Sequence, residues 1–432
     1  MLKNLRLRDV GPAPSFDIDF SDRLNIFTGD NGLGKSFILE IAWWALTGTW
    51  AGPKAWPLIG GDVTPRIGFQ IRTKSGVKKA PNVSGFDFAS EKWPRIKGES
   101  VASALVIYAR VDGTFSVWDP ARIFLWDSKD ATSQPQPRAL QFSHETLWDG
   151  LKENRLTLCK GLIQDWVSWQ VQDTVETIKT GNSPKKSTFH TLERVMKGLA
   201  TTPGEPATIG TPVRLSALDV RDIPTLIMPY GELPILYASA GMKRIVSFAY
   251  LLTWAWDEHR RASKLQKRKP TDQIVLLVDE VESHLHPRWQ RTLLPSILGI
   301  GDDLDAELEV QILATTHSPL VLASIEPHFD RGRDSLFLFD LDEDSGHVTL
   351  RKLPWAMQGD VVGWLTSPVF GLDQARSPEA EKAIEAAEAF MRGDSKRLPA
   401  GLKTKASIHK ALQKTLPGLD PFWPRWIVGA KP

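Results

Sequence analysis

The sequence predicts an α/β fold with a mixed, mainly parallel core sheet, an attached antiparallel β-subdomain, a helical lobe and a small helical tail. Three stretches carry that prediction. In the first, the apolar strand Leu24-Asn25-Ile26-Phe27-Thr28 runs into a glycine-rich loop, Gly29 to Ser36, and then into Phe37 to Leu46, apolar all round like a buried helix. In the second, Gln273 to Glu280 places five consecutive apolar residues before two carboxylates, the pattern of a central strand covered on both faces. The third, Val310 to Thr316, is another apolar strand and ends at His317-Ser318-Pro319.

The loop Gly29-Asp30-Asn31-Gly32-Leu33-Gly34-Lys35-Ser36 fits the phosphate-binding pattern G-x-x-x-x-G-K-[ST], with the strand before it and helix after it that the chemistry needs. Glycines let the backbone turn its N–H groups inward, and the new helix offers its positive end to a polyphosphate. Asn31, Gly32, Gly34 and Phe37 are therefore expected to bind nucleotide. Lys35 is expected to reach the β- and γ-phosphates and the Ser36 hydroxyl to ligate Mg²⁺. Asp279 ends its strand where ligands of open α/β sheets bind, placed to hold the same ion, with Glu280 placed to orient or activate the attacking water. His317, at the end of its own core strand, is placed to sense the γ-phosphate.

With 432 residues, 42% hydrophobic and 24% charged, the chain can build a sizeable core, as two or three domains or as one large α/β unit with insertions. A net charge of +2 is too small to argue for nucleic acid by itself. The single cysteine, Cys159, forbids an internal disulfide, and no Cys/His spacing resembles a zinc site, so a reducing cytoplasmic setting is expected. Met1 to Arg8 alternates apolar and basic residues like a strand and has no signal-peptide apolar region, and nowhere do 18 apolar residues follow in succession. Most of the 17 tryptophans are expected in the core or at interfaces rather than stacked on bases.

Along the chain, residues 1–28 alternate as strands, and Gly48 to Pro65 is loop. Arg66 to Pro120 reads as a small antiparallel sheet attached to the nucleotide core, from Arg66–Arg72, Leu105–Arg110 and Thr114–Trp118. Ser133 to Pro137 is a turn. Ser143 begins a long helical pattern to about Lys179, and a second helix covers about Thr188 to Leu199, giving a helical insertion over about 143–236. No heptad persists there, which excludes a long coiled coil. Ser239-Ala240-Gly241 precedes an apolar helix, and the basic run Arg260 to Pro270 reads as its solvated end, with a nucleic-acid or partner contact as the alternative. Ser335–Leu341 and His347–Leu350 form a hairpin closing the sheet. Residues 371–432 form a separate tail, with Ser377-Pro378 opening a helix and eight Lys/Arg against the single acid Asp420 from Lys396 onward.

The order of these motifs, with Glu282-Ser283-His284-Leu285-His286-Pro287 after Asp279-Glu280 and Thr316-His317-Ser318-Pro319 later, resembles the ABC-type ATPases of the SMC, RecF and OLD group over roughly residues 1–370. The resemblance implies an ABC-ATPase head that hydrolyses ATP with Mg²⁺. It makes Lys35 and Ser36 the Walker A residues, Asp279 the Walker B magnesium ligand, Glu280 the catalytic glutamate, Glu282 to His286 the D-loop and His317 the switch histidine. Ser239 and Gly241 become the signature motif, which in this group contacts the γ-phosphate bound to a second subunit, although Ala238 stands where Leu is common. Gln141 fits the Q-loop position, a magnesium and nucleotide contact, better than Gln70.

The resemblance thereby implies a homodimer or higher oligomer closed around two ATP molecules, whose loss lets the pair open. Two functions follow from it. One is a switch subunit that controls a separately encoded effector, a nuclease or toxin, in a prokaryotic anti-phage defence system. The other is a DNA-binding ATPase like RecF or a short SMC head, acting in repair or recombination. The acids of Phe339 to Asp344 superficially match a Toprim nuclease, but no further carboxylate is suitably spaced, and a hairpin turn explains them. His284 and His286 are read as subunit-contact residues rather than metal ligands.

Overall fold

The structure, a computed structural model, describes residues 1–58, 60, 64–73, 76–77, 81–94, 102–122, 139–181, 187–199, 208–305 and 307–429. These fall into two compact units, Met1–Met357 and Gln358–Pro432. The first is built on an eight-stranded sheet ordered Val348–Leu353, Asp334–Leu341, Leu24–Gly29, Glu309–Thr315, Gln273–Val278, Leu105–Ala109, Phe115–Trp118 and Leu140–Phe142. From Asp334–Leu341 across to Leu105–Ala109 every pairing is parallel, and the strands outside that stretch are antiparallel. The register pairs Val278 with Ala109 and Ala314, and Thr315 with Phe27, so the carboxyl ends of the Leu24–Gly29, Glu309–Thr315, Gln273–Val278 and Leu105–Ala109 strands converge on one edge.

That edge receives the helix Lys35–Thr47, sandwiched between the main sheet and a second, antiparallel sheet containing Leu2–Arg8, Ser15–Asp19, Arg66–Thr73 and Asn82–Gly85. A helix pressed from two sides must be apolar all round, and Ile38, Leu39, Ile41, Ala42, Trp43, Trp44 and Leu46 are all buried. They share a core with Leu2, Leu5, Leu7, Phe16, Ile18, Ile67 and Phe69 of the second sheet and with Val275, Leu277 and Leu313 of the first. At about 1.5–3 kcal/mol for each large side chain buried, this fixes where the loop before the helix stands.

The separate sheet expected over Arg66 to Pro120 is divided between these two. Arg66–Thr73 joins the second sheet, whereas Leu105–Ala109 is inserted into the main sheet, parallel to Gln273–Val278. Its run Leu-Val-Ile-Tyr-Ala is buried at every position, which suits a strand covered on both faces and not a one-sided antiparallel sheet.

The long helix expected from Ser143 to Lys179 is also corrected. Ser143 does cap a helix, but that helix spans only His144–Asp149, and the hairpin Leu151–Glu153/Leu156–Cys159 precedes the helix Leu162–Thr180. Gly150 and Gly161, at φ +108° and +92°, lie against each other: a Cβ on Gly161 would stand 2.4 Å from the Gly150 nitrogen. Only glycine allows that approach. Asn154 and Arg155 also have positive φ and turn the hairpin. Beyond Thr188–Leu199 the insertion continues as short antiparallel ribbons, Thr225–Met228 with Gly231–Pro234 among them. The expected turn Ser133 to Pro137 lies outside the described residues.

The second unit begins at Gln358 and includes the capped turn Val361–Leu365, so the division falls before residue 371. Ser377 caps Pro378–Met391 by accepting from the Ala380 N–H, with Pro378 in the first turn. That helix and Lys405–Thr415 and Phe422–Gly429 enclose a small core of Ala383, Ile384, Ala387, Ile408, Leu412, Phe422 and Trp426. Asp420 is buried in an ion pair with Arg376. Trp43, Trp118, Trp166, Trp364 and Trp426 are among the most deeply buried side chains, as the core reading of tryptophan expects.

Candidate nucleotide site

The loop between Gly29 and Lys35 takes its shape from its glycines. A Cβ on Gly29 would stand 2.2 Å from the Phe339 carbonyl oxygen of the next strand, and one on Gly34, at φ +100°, would stand 2.9 Å from Pro12 Cγ. Gly32, at φ +79°, faces open space at the mouth, where Asn31 is exposed. Lys35 is buried and folded back along its own loop, Nζ donating to the carbonyls of Gly29 at 2.9 Å and Asp30 at 2.6 Å. Burial lowers the pKa of its ammonium, opposed by the carboxylates of Glu280, Asp30 and Asp279.

Ser36 begins the helix next to the end of the Gln273–Val278 strand, and its hydroxyl donates to Asp279 Oδ1 at 3.0 Å. Thr315, at the end of the neighbouring strand, donates to the same oxygen at 2.7 Å and accepts from the Glu280 N–H at 2.7 Å. Glu280 sits at φ +46°, a left-handed conformation uncommon for a residue with a side chain, and the bond to Thr315 helps to hold it there. His317 Nε2 lies 3.8 Å from Glu280 Oε1. One chain thus assembles Lys35, Ser36, Asp279, Glu280 and His317 at the carboxyl edge of the sheet, where crossovers leave a crevice.

A cavity of about 630 Å³ opens from Ser36 and Asp279 and runs past Phe37 to Gly11, Trp56, Pro57 and Leu58. The end at Ser36 and Asp279 is polar, and the end at Trp56, Pro57 and Leu58 is apolar and aromatic apart from Lys54, which would suit a nucleotide with its base toward Phe37 and Trp56. Glu40 and Arg110 form the floor: Glu40 accepts from the Gly52 N–H, Arg110 donates to the Ala51 carbonyl at 2.8 Å, and burial raises the pKa of Glu40. The donor set also fits Mg²⁺. A serine hydroxyl and a carboxylate oxygen within 3.0 Å of each other are hard oxygen ligands, and a bound ion supplies charge neutralisation for the phosphates.

The structure does not bring Gln141 to this group. It lies on Leu140–Phe142 at the sheet edge, three strands from Gln273–Val278, where Ser116 donates to its carbonyl oxygen. Gln70 is in the other sheet, bonded to Asn4. Arg110, Val111 and Asp112 line the cavity with Ser36 and Asp279. Sequence reading also missed Thr315 and Arg244. The paired threonines at the end of an apolar strand were the available signal for Thr315. Arg244 donates to the carbonyls of Val111, Asp279 and Glu280 at 3.2–3.4 Å and leaves no trace in a motif.

Ser239 and Ala240 are exposed and Gly241 half-buried at the start of the 26-residue helix Ala240–Leu265, which Ser239 caps by accepting from the Met242 N–H. His286 likewise accepts from the Arg288 N–H and caps the short Pro287–Gln290 helix, and among the described residues no metal-holding group contains it or His284. Asp340 is paired with Arg351, and Asp342 accepts from the N–H groups of Asp344 and Ser345 to close the hairpin turn. No helix among the described residues is long and apolar enough to cross a membrane.

A family model described as "AAA domain, putative AbiEii toxin, Type IV TA system" matches residues 229–323, and another, "AAA domain", matches residues 4–78. The Septu protein PtuA of Bacillus thuringiensis is 30% identical over 402 residues, 89% of this chain and 87% of that one. The Retron Ec83 probable ATPase of Escherichia coli is 28% identical over 34% of this chain and 23% of its own. Among solved structures the SMC head domain from Thermotoga maritima aligns with 82% of this chain and 99% of its own at 15% identity, with a TM-score of 0.38, too low to carry weight. The two AAA matches fall on the two halves of the assembled site, one holding Lys35 and Ser36 and the other Asp279, Glu280 and His317, and the chain is an AAA-domain protein that belongs to the Septu PtuA family.

Proposed function

We propose that the chain is the ATP-driven switch subunit of a prokaryotic anti-phage defence system. Two copies close around two ATP molecules, hydrolysis opens them, and a separately encoded nuclease or toxin responds to the difference. The observation that carries this reading is the exposed turn Ser239 to Gly241. It sits at the positive end of a long helix, suited to a phosphate, with Ser239 and Ala240 exposed there. Similarity along most of the chain to a Septu protein, and in part to a retron ATPase, supports placing the switch in defence.

In each composite site Lys35 and the loop N–H groups bind the β- and γ-phosphates, Ser36 and Asp279 hold Mg²⁺, and Glu280 takes the proton of the attacking water. His317 donates toward the terminal phosphate, and Ser239 and Gly241 of the other copy close the pocket. ATP favours the closed pair only by its greater affinity for it. The test is protection of a host carrying the whole locus: Lys35→Ala and Glu280→Gln should each abolish it without lowering the protein's level, and intact protection in either would overturn the reading.

A second reading, a DNA-acting ATPase, is favoured by the exposed Lys396, Lys403, Lys410 and Lys414 of the second unit. Duplex binding that weakens with salt by several charges would support it.

A further inference from the structure

Glu282 is two residues past Glu280, and both of its carboxylate oxygens are used. Oε2 accepts from the Thr316 hydroxyl at 2.8 Å, and Oε1 accepts from the backbone N–H of His317. Gln290 adds a second tie, its amide donating to the Leu285 carbonyl at 3.0 Å and its Oε1 accepting from the Ser318 hydroxyl at 2.8 Å. The segment Thr316 to Ser318 is therefore stapled to the turn 282–286 through its backbone and hydroxyls. The His317 ring is left to face Glu280.

On its other side the same turn meets the signature helix. A Cβ on Gly241 would stand 3.0 Å from the His284 carbonyl oxygen and 3.6 Å from Leu285 Cδ2, so no side chain separates the two. His284 is exposed, and its φ of +62° is a conformation that a non-glycine residue keeps only when its surroundings impose it. The exposed turn, the signature helix and the His317 loop thus form one continuous packed path.

We infer that Glu282 is a positioning residue: through it the turn 282–286, and the signature helix packed on that turn, fix the imidazole of His317 against Glu280. A carboxylate suits this task because it accepts two donors at once with charge-assisted bonds, one of them from the backbone unit that sets the direction of the ring. A displacement of the order of 1 Å at a reacting group costs about a hundredfold in rate, so a modest shift of this loop is enough to matter. The inference rests on His317 meeting the terminal phosphate, as proposed above.

The experiment measures steady-state ATP hydrolysis, ATP affinity and thermal unfolding of the full chain in Glu282→Ala, Glu282→Gln, His317→Ala and the Glu282→Ala/His317→Ala pair. Glu282→Ala should lower kcat by about 10- to 100-fold and leave ATP affinity within about threefold, because the phosphate loop is untouched. Glu282→Gln should recover most of the rate, since its oxygen can take the His317 N–H while its amide donates to the Thr316 hydroxyl. In the His317→Ala background Glu282→Ala should cost less than about threefold more, the non-additivity of residues acting as one unit. Full kcat in Glu282→Ala, or an undiminished loss on top of His317→Ala, overturns the inference. Normal kcat in His317→Ala alone removes the role given to His317, and this inference with it, while leaving Lys35 and Asp279 as they are. Should Glu282→Ala unfold, Thr316→Val, which removes one of the two bonds to Glu282 together with the one that the Thr316 hydroxyl accepts from the Ser318 N–H, takes its place with an expected loss of about 3- to 10-fold and the same non-additivity.

Discussion

The two faces that a nucleotide would meet are made to different degrees by one chain. On the phosphate-loop side, Ser36 and Thr315 both donate to Asp279 at 3.0 and 2.7 Å, Lys35 is held by the carbonyls of Gly29 and Asp30, Lys35 and Asp279 are buried, and the cavity beside them is already formed. On the signature side, Ser239 and Ala240 stand exposed and Ser239 does no more than cap its own helix. The difference teaches that binding and turnover need different amounts of protein. On the proposed reading one copy would suffice to grip a triphosphate, whereas Ser239, the group proposed for the far side of the γ-phosphate, is turned outward.

That comparison predicts separable failures. Glu280→Gln, which removes the base and keeps the shape, should lower kcat by about 10²- to 10³-fold with ATP affinity retained, read by single-turnover hydrolysis; normal turnover would put the base elsewhere. Ser239→Arg changes the outward face and removes the N-cap on Met242 but leaves the phosphate loop untouched, so kcat should fall by about 10²-fold while ATP affinity stays within about threefold, read by titration of a fluorescent ATP analogue. A loss of affinity as large as the loss of rate would show the turn acting within its own chain. Lys35→Ala should do the reverse and weaken ATP binding by about 10- to 100-fold, through a lost charge-assisted bond to phosphate.

Smaller effects belong to the lobe packed on the helix Ala240–Leu265. Gly161→Ala forces a Cβ to within 2.4 Å of the Gly150 nitrogen at φ +92° and should cost about 1–3 kcal/mol in a denaturant melt, with ATP affinity unchanged. In the same lobe burial pushes the Asp165 carboxyl up to about 6, although Tyr250 donates to it. A carboxyl raised above its unfolded value of about 3.9 binds more protons folded than unfolded between those two pH values, so its contribution to stability falls as pH rises from about 4 to about 6. Asp165→Asn should flatten the dependence of Tm on pH in that window, and an unchanged slope would place the titration elsewhere.

Much of the phosphate-loop side was legible in the sequence because it is local. A glycine-rich loop between strand and helix, and carboxylates at the end of an apolar run, are contiguous patterns whose partners follow from sheet chemistry. The mistakes share the opposite character. Leu105–Ala109 gave no sign of which sheet it would join, since strand order depends on contacts far apart in the chain. Gly150 and Gly161 look like ordinary interruptions of a helix until their backbones are seen in contact. The expectation for Gln141 rests on its place along the chain, and the fold sets it three strands from Gln273–Val278, bonded to Ser116. Arg244 and Glu282 act through backbone groups of other segments, which no residue pattern records.

The most direct test of the shared pocket is the solution mass of Glu280→Gln with and without ATP and magnesium, by light scattering on a sizing column. The account predicts a single copy, 48.2 kDa, gaining at least one more copy when ATP is added, and Ser239→Arg in the same background abolishing that gain. A mass that ignores ATP, or an ATP-driven gain that survives Ser239→Arg, would contradict it.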